Sequence, residues 1–213
     1  MKLSINLFMT LDGVSQSPGS PEEDDRGGFD RGGWLMPLFD DGCAQVVNGW
    51  FSQTSALLLG RTTYDTFAAH WPHVTDPEDR VADRINRGQK YVVTSNPVGD
   101  VWQDSTTTLG DDFLERVRQL KHEPGDELQV HGSIRLARAL HRAGLVDIFR
   151  FLIAPVIVGG GLSIFSDDDA ASTLTLTSSS TTDSGVTAME LVPGEFQQAV
   201  ATVEDGKDSV QQH

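Results

Sequence analysis

Three short apolar runs each end in small or hydroxyl-bearing residues and lead into a helical or breaker pattern. The run at 56–59 is followed by "GRTT" at 60–63, the run at 90–93 by "TSN" at 94–96, and the run at 128–130 by "HGS" at 131–133. Short strands that alternate with helices favour parallel βαβ units. In such a sheet, ligands bind at the carboxyl ends of the strands. The pattern therefore predicts an α/β fold with its ligand site at these junctions.

The remaining segments complete a single domain over residues 1–196. Residues 2–9 resemble a first strand, and 172–182 with 185–193 resemble an antiparallel hairpin that closes the sheet. Residues 12–34 are rich in Gly, Asp, Ser and Pro, and a loop of this length in a compact domain is often functional. Residues 197–213 are expected to add one edge strand and then a polar, disordered tail.

The charge of the chain narrows the range of partners. The formal net charge is −15, from 16 basic and 31 acidic residues. A negative field of this size repels nucleic-acid phosphates and anionic membranes, so we expect neither partner. Only four basic residues are lysine. An acidic, lysine-poor surface suits concentrated salt, which screens carboxylate repulsion, but an ordinary acidic protein is an equally good interpretation.

The sequence also predicts where the protein works. Cys43 is the single cysteine, so no internal disulfide is expected, and this fits a reduced compartment. The first residues lack the features of a signal peptide, and no apolar run approaches the length of a membrane span. We therefore expect a soluble, cytoplasmic protein.

Ser133 has two competing interpretations. A hydrolase nucleophile needs the pattern G-x-S-x-G, and the sequence "HGSIR" lacks the second glycine. A catalytic triad would also need a later histidine, and only His141 and His213 follow. The second interpretation is a helix N-terminus, whose free amides and positive dipole end hold phosphate. Simple N-capping explains each junction alone, but three junctions together favour an extended phosphate-bearing ligand such as a dinucleotide.

Two other patterns lack the spacing of a known motif, although glycines at 159–161 would still let the backbone approach a ligand closely. His70 and His73 lack the spacing and the further ligands of a metal centre, so no metal is expected. The glycines at 159–161 follow an apolar run but lack the G-x-G-x-x-G spacing of a Rossmann fingerprint.

Five motifs in order carry a resemblance to a known family. They are "LFMTLDGV", "LLLGRTTYDTFAAHWP", "KYVVTSNP", "LQVHGSIRLARALHRAGLVD" and "FLIAPVIVGGGLSIF". Together they resemble the dihydrofolate reductase-like superfamily, in the branch of the riboflavin biosynthesis reductase (RibD C-terminal) domain. The resemblance spans residues 1–193. It implies a central, mostly parallel sheet with an antiparallel C-terminal hairpin and helices on both faces. It also implies NADPH as the hydride donor and a homodimer.

The resemblance assigns residues to the cofactor. It implies contacts from Leu11, Gly13, Gly60, Arg61, Thr62, Thr63, Ser95, Asn96, Gly132, Ser133, Ile134, Gly160 and Gly161. Arg61 would lie near the adenosine-side phosphate, and the turn at 132–134 would hold the pyrophosphate. The segment at 11–13 would pass the nicotinamide.

The sequence departs from the riboflavin branch in three respects. His131 stands where relatives often carry an acid, and Ile148 stands where Glu commonly follows "LVD". The deaminase domain that is fused to many riboflavin enzymes is not found in the sequence. The resemblance therefore leaves the hydride acceptor open.

Hydride transfer needs the donor and the acceptor held in position, and it often needs a proton source. Dihydrofolate reductases use a carboxylate on the helix after the first long loop. Asp40 and Asp41 begin that helix here, and Asp12 lies at the loop entrance, so each is a candidate proton relay, with Asp12 and Asp41 preferred. The alternative role of Asp40 and Asp41 is to stabilise the helix N-terminus.

Trp34 and Phe39 are candidates for stacking on a flat heterocycle, and His131 for facing it, although aromatic residues more often pack in a core. The leading hypothesis is an NADPH-dependent reductase of a pterin-like or other small heterocyclic substrate. The alternative is a nucleotide-binding protein of the same fold without catalysis.

Overall fold

A computed structural model describes residues 1–165, 171–204 and 207–212 of the chain. The strands are β1 (Lys2–Thr10), β2 (Thr54–Gly60), β3 (Gln89–Val93), β4 (Thr106–Leu109), β5 (Glu127–His131), β6 (Ile148–Ala154), β7 (Thr173–Thr181), β8 (Thr187–Gly194), β9 (Ala199–Glu204) and β10 (Lys207–Gln212). The α-helices are α1 (Asp41–Ser52), α2 (Arg61–His70), α3 (Arg80–Arg87), α4 (Phe113–His122) and α5 (Ile134–Arg142).

Eight strands form one mixed sheet in the order β4-β3-β2-β5-β1-β6-β8-β7. Strands β1 to β6 run parallel to one another, whereas β8 pairs antiparallel with both β6 and β7. Strand β1 lies between β5 and β6, so its end at Thr10 is central in the carboxyl edge. The predicted fold class, a mostly parallel α/β sheet with an antiparallel C-terminal hairpin, is confirmed.

The two faces of the sheet are covered by different helices. Leu3, Ile5 and Leu7 of β1 face a core that includes buried residues of α4 and α5. The opposite core contains Trp50 and Phe51 of α1 together with residues of α2 and α3. Each large apolar side chain buried in these cores contributes about 1.5–3 kcal/mol. Helices on both faces leave the carboxyl edge of the strands as the place for a ligand.

A buried polar network runs under the face that α1 covers. The Arg150 guanidinium donates to both Glu127 carboxylate oxygens, at 2.7 and 2.8 Å, and to Glu190 at 2.7 Å. The Ser4 hydroxyl also donates to Glu127, at 3.0 Å. Burial opposes ionisation of Glu127, but the hydrogen bonds and charge of Arg150 outweigh it, and the pKa of Glu127 is lowered. Removing one partner of such a buried pair typically costs about 3–5 kcal/mol.

The C-terminal segment differs from the expected edge strand and disordered tail. Strands β9 and β10 pair with each other as a separate two-stranded sheet, and within the described residues neither joins the eight-stranded sheet. Val200 and Val203 of β9 are 46% and 71% exposed, so these apolar side chains are not buried against the main sheet. Among the described residues, no helix is long and apolar enough to cross a membrane.

Candidate functional site

The β2–α2 and β5–α5 junctions are joined directly to each other at the carboxyl edge. Strands β2 and β5 are neighbours in the sheet, which brings the two turns together. The Gly60 amide donates to the Ser133 hydroxyl at 2.9 Å, and the Ser133 amide donates to the Thr63 hydroxyl at 3.0 Å. Two of the three junctions that the sequence predicts to share one extended ligand therefore form one structural unit.

Helices α2 and α5 both begin without a side-chain cap. Asp40 caps α1 by accepting from the Cys43 amide, and Asp79 caps α3 by accepting from the Ala82 amide. Gly60 and Ser133 occupy the N-cap positions of α2 and α5, and neither makes a side-chain cap bond. The expectation that Ser133 caps its helix is therefore wrong, because its hydroxyl binds the Gly60 amide instead. The first-turn amides of both helices, among them those of Thr62 and Ile134, stay available to an anion.

A positive φ explains the glycine at position 132, whereas the space around Gly60 would admit a Cβ in ordinary contact. Gly132 has φ +55°, and a Cβ there would lie 3.4 Å from the Thr63 hydroxyl oxygen. A Cβ at Gly60 would lie 3.6 Å from the Ser133 hydroxyl oxygen. Ser133 itself has φ 51°, a left-handed conformation that is strained for a residue with a side chain.

Arg61 points toward the loop after β3, and its role at the adenosine side of a cofactor stays a prediction. Its Nε pairs with the Asp65 carboxylate at 2.7 Å, and its Nη1 donates to the Pro97 carbonyl at 2.6 Å. Ser95 and Asn96 are exposed in the same loop, where the Asn96 amide donates to the Thr94 hydroxyl at 3.1 Å. The structure thus brings Arg61 and the loop at 94–97 together, beside the pair of junctions.

Asp12 joins the ends of β1 and β6. Its carboxylate accepts from the Thr10 hydroxyl at 2.6 Å and from the Gly159 amide at 2.7 Å. The Thr10 hydrogen bond, with those of the Gly159 and Val158 amides, lowers the pKa of Asp12 against a smaller effect of burial. An ionised Asp12 is poorly suited to give a proton, so its proton-relay role stays a prediction. Leu11, which precedes Asp12, is 66% exposed, and Gly13, which follows it, has φ +84°.

Gly160 and Gly161 differ in whether a side chain would fit at their positions. At Gly161, with φ +123°, a Cβ would lie 2.8 Å from Val14 Cγ1 and 2.9 Å from Phe29 Cε2. Gly161 is therefore required for packing against the long loop. A Cβ at Gly160 would meet no atom within 4 Å, so Gly160 faces open space.

The long loop is held together by Gln16, which the sequence analysis did not single out. Its Nε2 donates to the carbonyls of Asp24 and Arg26, at 3.0 and 2.9 Å, and its Oε1 accepts from the Leu162 amide at 3.0 Å. Gln16 is 2% exposed. One buried amide thereby joins the base of the loop, its middle and the glycine segment. A glutamine in a polar loop gives no sequence signal for such a role.

The N-terminus of α1 lies against the turn between β7 and β8. The Asp40 carboxylate accepts from the Cys43 amide and from the Ser184 amide, both at 2.8 Å, and these two bonds lower the pKa of Asp40. Asp41 is the exposed first residue of the helix. Phe39 is 36% exposed and lies edge-on to Phe8, with ring centroids 6.4 Å apart. Asp41 and Phe39 are thus open to a ligand, and their site roles stay predictions.

Trp34 and His131 lie inside the protein, which corrects their expected contact with the substrate. Trp34 is 7% exposed, and its indole N–H donates to the Gln16 carbonyl at 2.9 Å. The His131 ring stacks on Phe51 with centroids 4.3 Å apart, and its Nε2 lies 2.9 Å from Gln129 Oε1. Burial, together with the charge of Arg150, lowers the pKa of His131 to about 3, so the ring is neutral. Among the described residues, no group of three or more His, Cys, Asp or Glu side chains is placed to hold a metal ion.

The fold and the paired junctions define the class of protein. A mostly parallel eight-stranded sheet with this antiparallel C-terminal hairpin is that of the dihydrofolate reductase-like α/β proteins. The model of the RibD C-terminal domain family matches residues 1–188. The chain therefore belongs to the RibD C-terminal domain family.

Individual relatives agree with this assignment. The chain is 29% identical over 189 residues to the uncharacterized protein YyaP of Bacillus subtilis strain 168, covering 87% of this chain and 91% of that protein. Its structure resembles a deaminase/5-amino-6-(5-phosphoribosylamino)uracil reductase of Thermotoga maritima, with TM-score 0.58 and 16% identity over 91% of this chain and 56% of that one. It also resembles dihydrofolate reductase of Enterococcus faecalis complexed with NADP(H), with TM-score 0.58 and 13% identity over 91% and 97% of the two chains. At these identities the structural likeness shows the fold, which is one that reductases use.

Proposed function

We propose that the protein is an NADPH-dependent reductase that transfers a hydride to a pterin-like or other small heterocyclic substrate. The observation that carries the proposal is the pair of uncapped helix N-termini joined through Gly60, Thr63 and Ser133. Adjacent free amides and positive dipole ends suit a diphosphate. The likeness to a dihydrofolate reductase complexed with NADP(H) supports the same choice of cofactor.

The residues present fit a nicotinamide dinucleotide. The first-turn amides of α2 and α5 would hold its diphosphate, and Gly132 leaves room for the backbone to approach. Arg61, Ser95 and Asn96 would meet the adenosine end, where the Arg61 guanidinium offers a positive charge. Leu11 and Gly13 would pass the nicotinamide. The bound cofactor supplies the hydride, and the chain supplies positioning.

The acceptor would lie beyond the ends of β1 and β6. Leu11 and Ile157, which follow these strands, are 66% and 73% exposed, and Met36 and Phe39, which precede α1, are 47% and 36% exposed. An apolar surface of this kind suits the flat face of a heterocycle. The fold likeness to a uracil reductase supports a heterocyclic acceptor. In this arrangement Asp12 holds the ends of the two strands, and Asp41 is the candidate to relay a proton through water.

One observation favours the alternative, a nucleotide-binding protein without catalysis. Asp12 and Asp40 both have lowered pKa values, because hydrogen bonds stabilise their ionised forms, so neither is tuned to donate a proton. A reductase of this design would take its proton from solvent or through Asp41. The two functions therefore differ in turnover rather than in cofactor binding.

Two measurements test the proposal. The thermal unfolding midpoint is first compared with and without NADPH or NADH, because a ligand that binds the folded state raises it. The absorbance of NADPH is then followed with dihydrofolate, other pterins and a panel of pyrimidines. Stabilisation followed by NADPH oxidation supports the reductase, whereas stabilisation with no turnover on any acceptor supports the alternative. Stabilisation by neither nucleotide rejects both.

The proposal extends to partners. With a net charge of −15, the protein is expected to bind small molecules in the cytoplasm rather than nucleic acid or an anionic membrane. A homodimer is supported by β7, a nine-residue edge strand with no charged residue and mostly exposed side chains. Edge strands of soluble monomers usually carry charges or proline that prevent pairing.

A further inference from the structure

Asn6 is a buried residue of β1 whose side-chain oxygen has no hydrogen-bond partner among the described residues. The residue is 2% exposed, and its Nδ2 donates to the Ser4 hydroxyl at 3.1 Å. Because the Ser4 hydroxyl gives its one proton to Glu127, it can only accept from Asn6, and the unpaired atom is therefore the oxygen Oδ1. A buried oxygen without a donor is costly, so native proteins usually satisfy such an atom with a protein group or with ordered water.

Asn6 lies between His131 and Arg150 in the sheet. Strand β1 has β5 on one side and β6 on the other, and the strand register places Asn6 opposite both residues. Side chains in register on neighbouring parallel strands point to the same face. That face is the one under α1, because the His131 ring stacks on Phe51 of α1. The three polar side chains therefore form one buried row, in which His131 is 7% and Arg150 3% exposed.

The His131 ring has a free acceptor nitrogen in this row. Gln129 Nε2 donates to the Trp50 carbonyl and to the Glu127 carboxylate, both at 2.7 Å. The Gln129 atom that lies 2.9 Å from His131 Nε2 is therefore the oxygen, and since an oxygen can only accept, His131 Nε2 carries the proton. The buried ring is neutral, so its lone pair lies on Nδ1. No hydrogen bond to Nδ1 is made within the part of the chain that the structure describes.

The Arg150 guanidinium has unused donors on the other side of Asn6. A guanidinium side chain carries five N–H groups. Those of Arg150 bond to the carboxylates of Glu127 and Glu190 once through Nε, once through Nη1 and once through Nη2. One N–H on each Nη therefore has no acceptor among residues 1–165, 171–204 and 207–212. The row thus combines two unpaired acceptor atoms, on Asn6 and His131, with unpaired donors on Arg150.

This combination of donors and acceptors selects the kind of molecule that fits. A cation would be repelled by the Arg150 guanidinium, and an anion would face the lone pairs of Asn6 Oδ1 and His131 Nδ1 instead of donors. Water both donates and accepts, and a buried water typically makes about three hydrogen bonds.

We propose that one water molecule is bound inside the protein between Asn6, His131 and Arg150. It donates to Asn6 Oδ1 and to His131 Nδ1, and it accepts from an Nη of Arg150. The water links side chains of β5, β1 and β6, and it explains how a histidine and an asparagine are accommodated in the centre of the sheet. This site is independent of the proposed reductase activity.

A high-resolution crystal structure of the full chain tests the site directly. We expect an electron-density peak at hydrogen-bond distance, about 2.7–3.2 Å, from both Asn6 Oδ1 and His131 Nδ1. A peak with the anomalous signal of a chloride or potassium ion overturns the proposal. A well-defined row without a peak overturns it as well, and so does a protein group bonded to Asn6 Oδ1.

Relaxation dispersion of the water signal in NMR counts the water molecules that are held inside the protein in solution. Asn6→Leu keeps the approximate size of the side chain and removes its polar atoms, so we expect the loss of one long-lived water. Asn48→Leu is the matched control, because Asn48 is exposed on α1, and its count should equal that of the wild type. Equal counts in Asn6→Leu and the wild type contradict the proposal.

His131→Phe provides a second test that holds even if Asn6→Leu does not fold. Phenylalanine can keep the stacking on Phe51 but has no Nδ1. The water would lose one hydrogen bond, so its residence time should fall about tenfold. His141→Phe is the control, because the His141 ring packs against Phe149 and Phe165, outside the row. An unchanged residence time in His131→Phe overturns the proposal.

Discussion

The Gly60 amide and the Ser133 hydroxyl are 73 positions apart in the chain and form a 2.9 Å hydrogen bond at the carboxyl edge of the sheet. Because the hydroxyl is used in this way, it leaves the first turn of α5 uncapped. The same bond therefore fixes the spacing of two helix N-termini and keeps both open to an anion.

Replacing Ser133 separates the hydrogen bond from the backbone strain. Ser133→Ala leaves the Gly60 amide without its acceptor, and we expect a loss of about 1–2 kcal/mol in the free energy of unfolding. Ser133→Gly loses the same bond but relieves the left-handed conformation at φ 51°, so it should be less destabilising by about 1 kcal/mol. Urea unfolding of the two variants measures the difference. Equal stabilities would show that the backbone at Ser133 is unstrained.

Gly161 and Gly160 form a matched pair for the packing of the long loop. A methyl group at Gly161 would overlap Val14 and Phe29, so Gly161→Ala should destabilise by about 1–3 kcal/mol. Gly160→Ala points into open space and should stay within about 0.5 kcal/mol of the wild type. Chemical denaturation tests both. A Gly161→Ala variant as stable as Gly160→Ala would mean that the loop does not pack as described.

The ionised Asp12 should stabilise the protein only above its titration range. Its folded pKa lies below the usual value of 3.8, so its contribution is present above that pH and is lost as the pH falls through the lower folded value. Asp12→Asn should be less stable than the wild type at neutral pH, and the gap should close in acid. Unfolding curves across this range test the prediction, with the exposed Asp41→Asn as control. A gap that persists unchanged at low pH would assign the effect to something other than the charge.

Lys90 should make the protein more stable as the pH rises above 8. The side chain is fully buried, with its ammonium 2.7 Å from the Gly88 carbonyl and 4.5 Å from the centre of the Trp102 ring. Burial lowers its pKa from 10.5 to about 8. Between these values the unfolded chain binds more protons than the folded protein, so the free energy of unfolding rises with pH, by up to about 3 kcal/mol.

Lys90→Met removes this titration and should flatten the rise, whereas Lys2→Met, at an exposed position, should retain it. Thermal unfolding midpoints at several pH values between 7 and 10.5 measure both slopes. The same slope in Lys90→Met and in the wild type would exclude Lys90 as its origin.

The proposed homodimer predicts a specific sensitivity at β7. Ser179→Lys places a charge in the exposed edge strand and should convert a dimer to a monomer, because the facing copy would carry the same charge. Gln45→Lys adds the same charge at an exposed position of α1 and should leave the mass unchanged. Light scattering after size exclusion gives the molecular mass. A dimer that survives Ser179→Lys would place the interface elsewhere, and a monomeric wild type would exclude the dimer.

The sequence predicts the fold well because the patterns that define strands, helices and turns each span only a few neighbouring residues. Alternating short strands and helices determine the class, and glycine before a helix marks the β2–α2 and β5–α5 junctions. The direction of a single side chain depends on distant partners. His131 shares one face of β5 with Glu127 and Gln129, as the strand pattern predicts. This polar face is buried because Arg150, 23 residues beyond Glu127 in the chain, pairs with the Glu127 carboxylate.

The same limit applies to the candidate site. The residues at the junctions can be read from their spacing, whereas Gln16 and Arg26 act through contacts that only the folded loop creates. For Trp34 the sequence predicts a contact that the fold does not allow. An aromatic residue in a polar loop is expected to be exposed to a ligand, but the Trp34 indole N–H donates to the Gln16 carbonyl inside the protein.

The position of Gln16 has a consequence for how fast a ligand can leave. Its one side chain makes hydrogen bonds to the middle of the loop and to the segment after the glycines, so it couples the shape of the loop to that segment. We expect these bonds to break together when the loop opens, as a single cooperative event. The residence time of a molecule held beneath the loop would then be governed by that event, and tight binding would arise from slow departure rather than from fast capture.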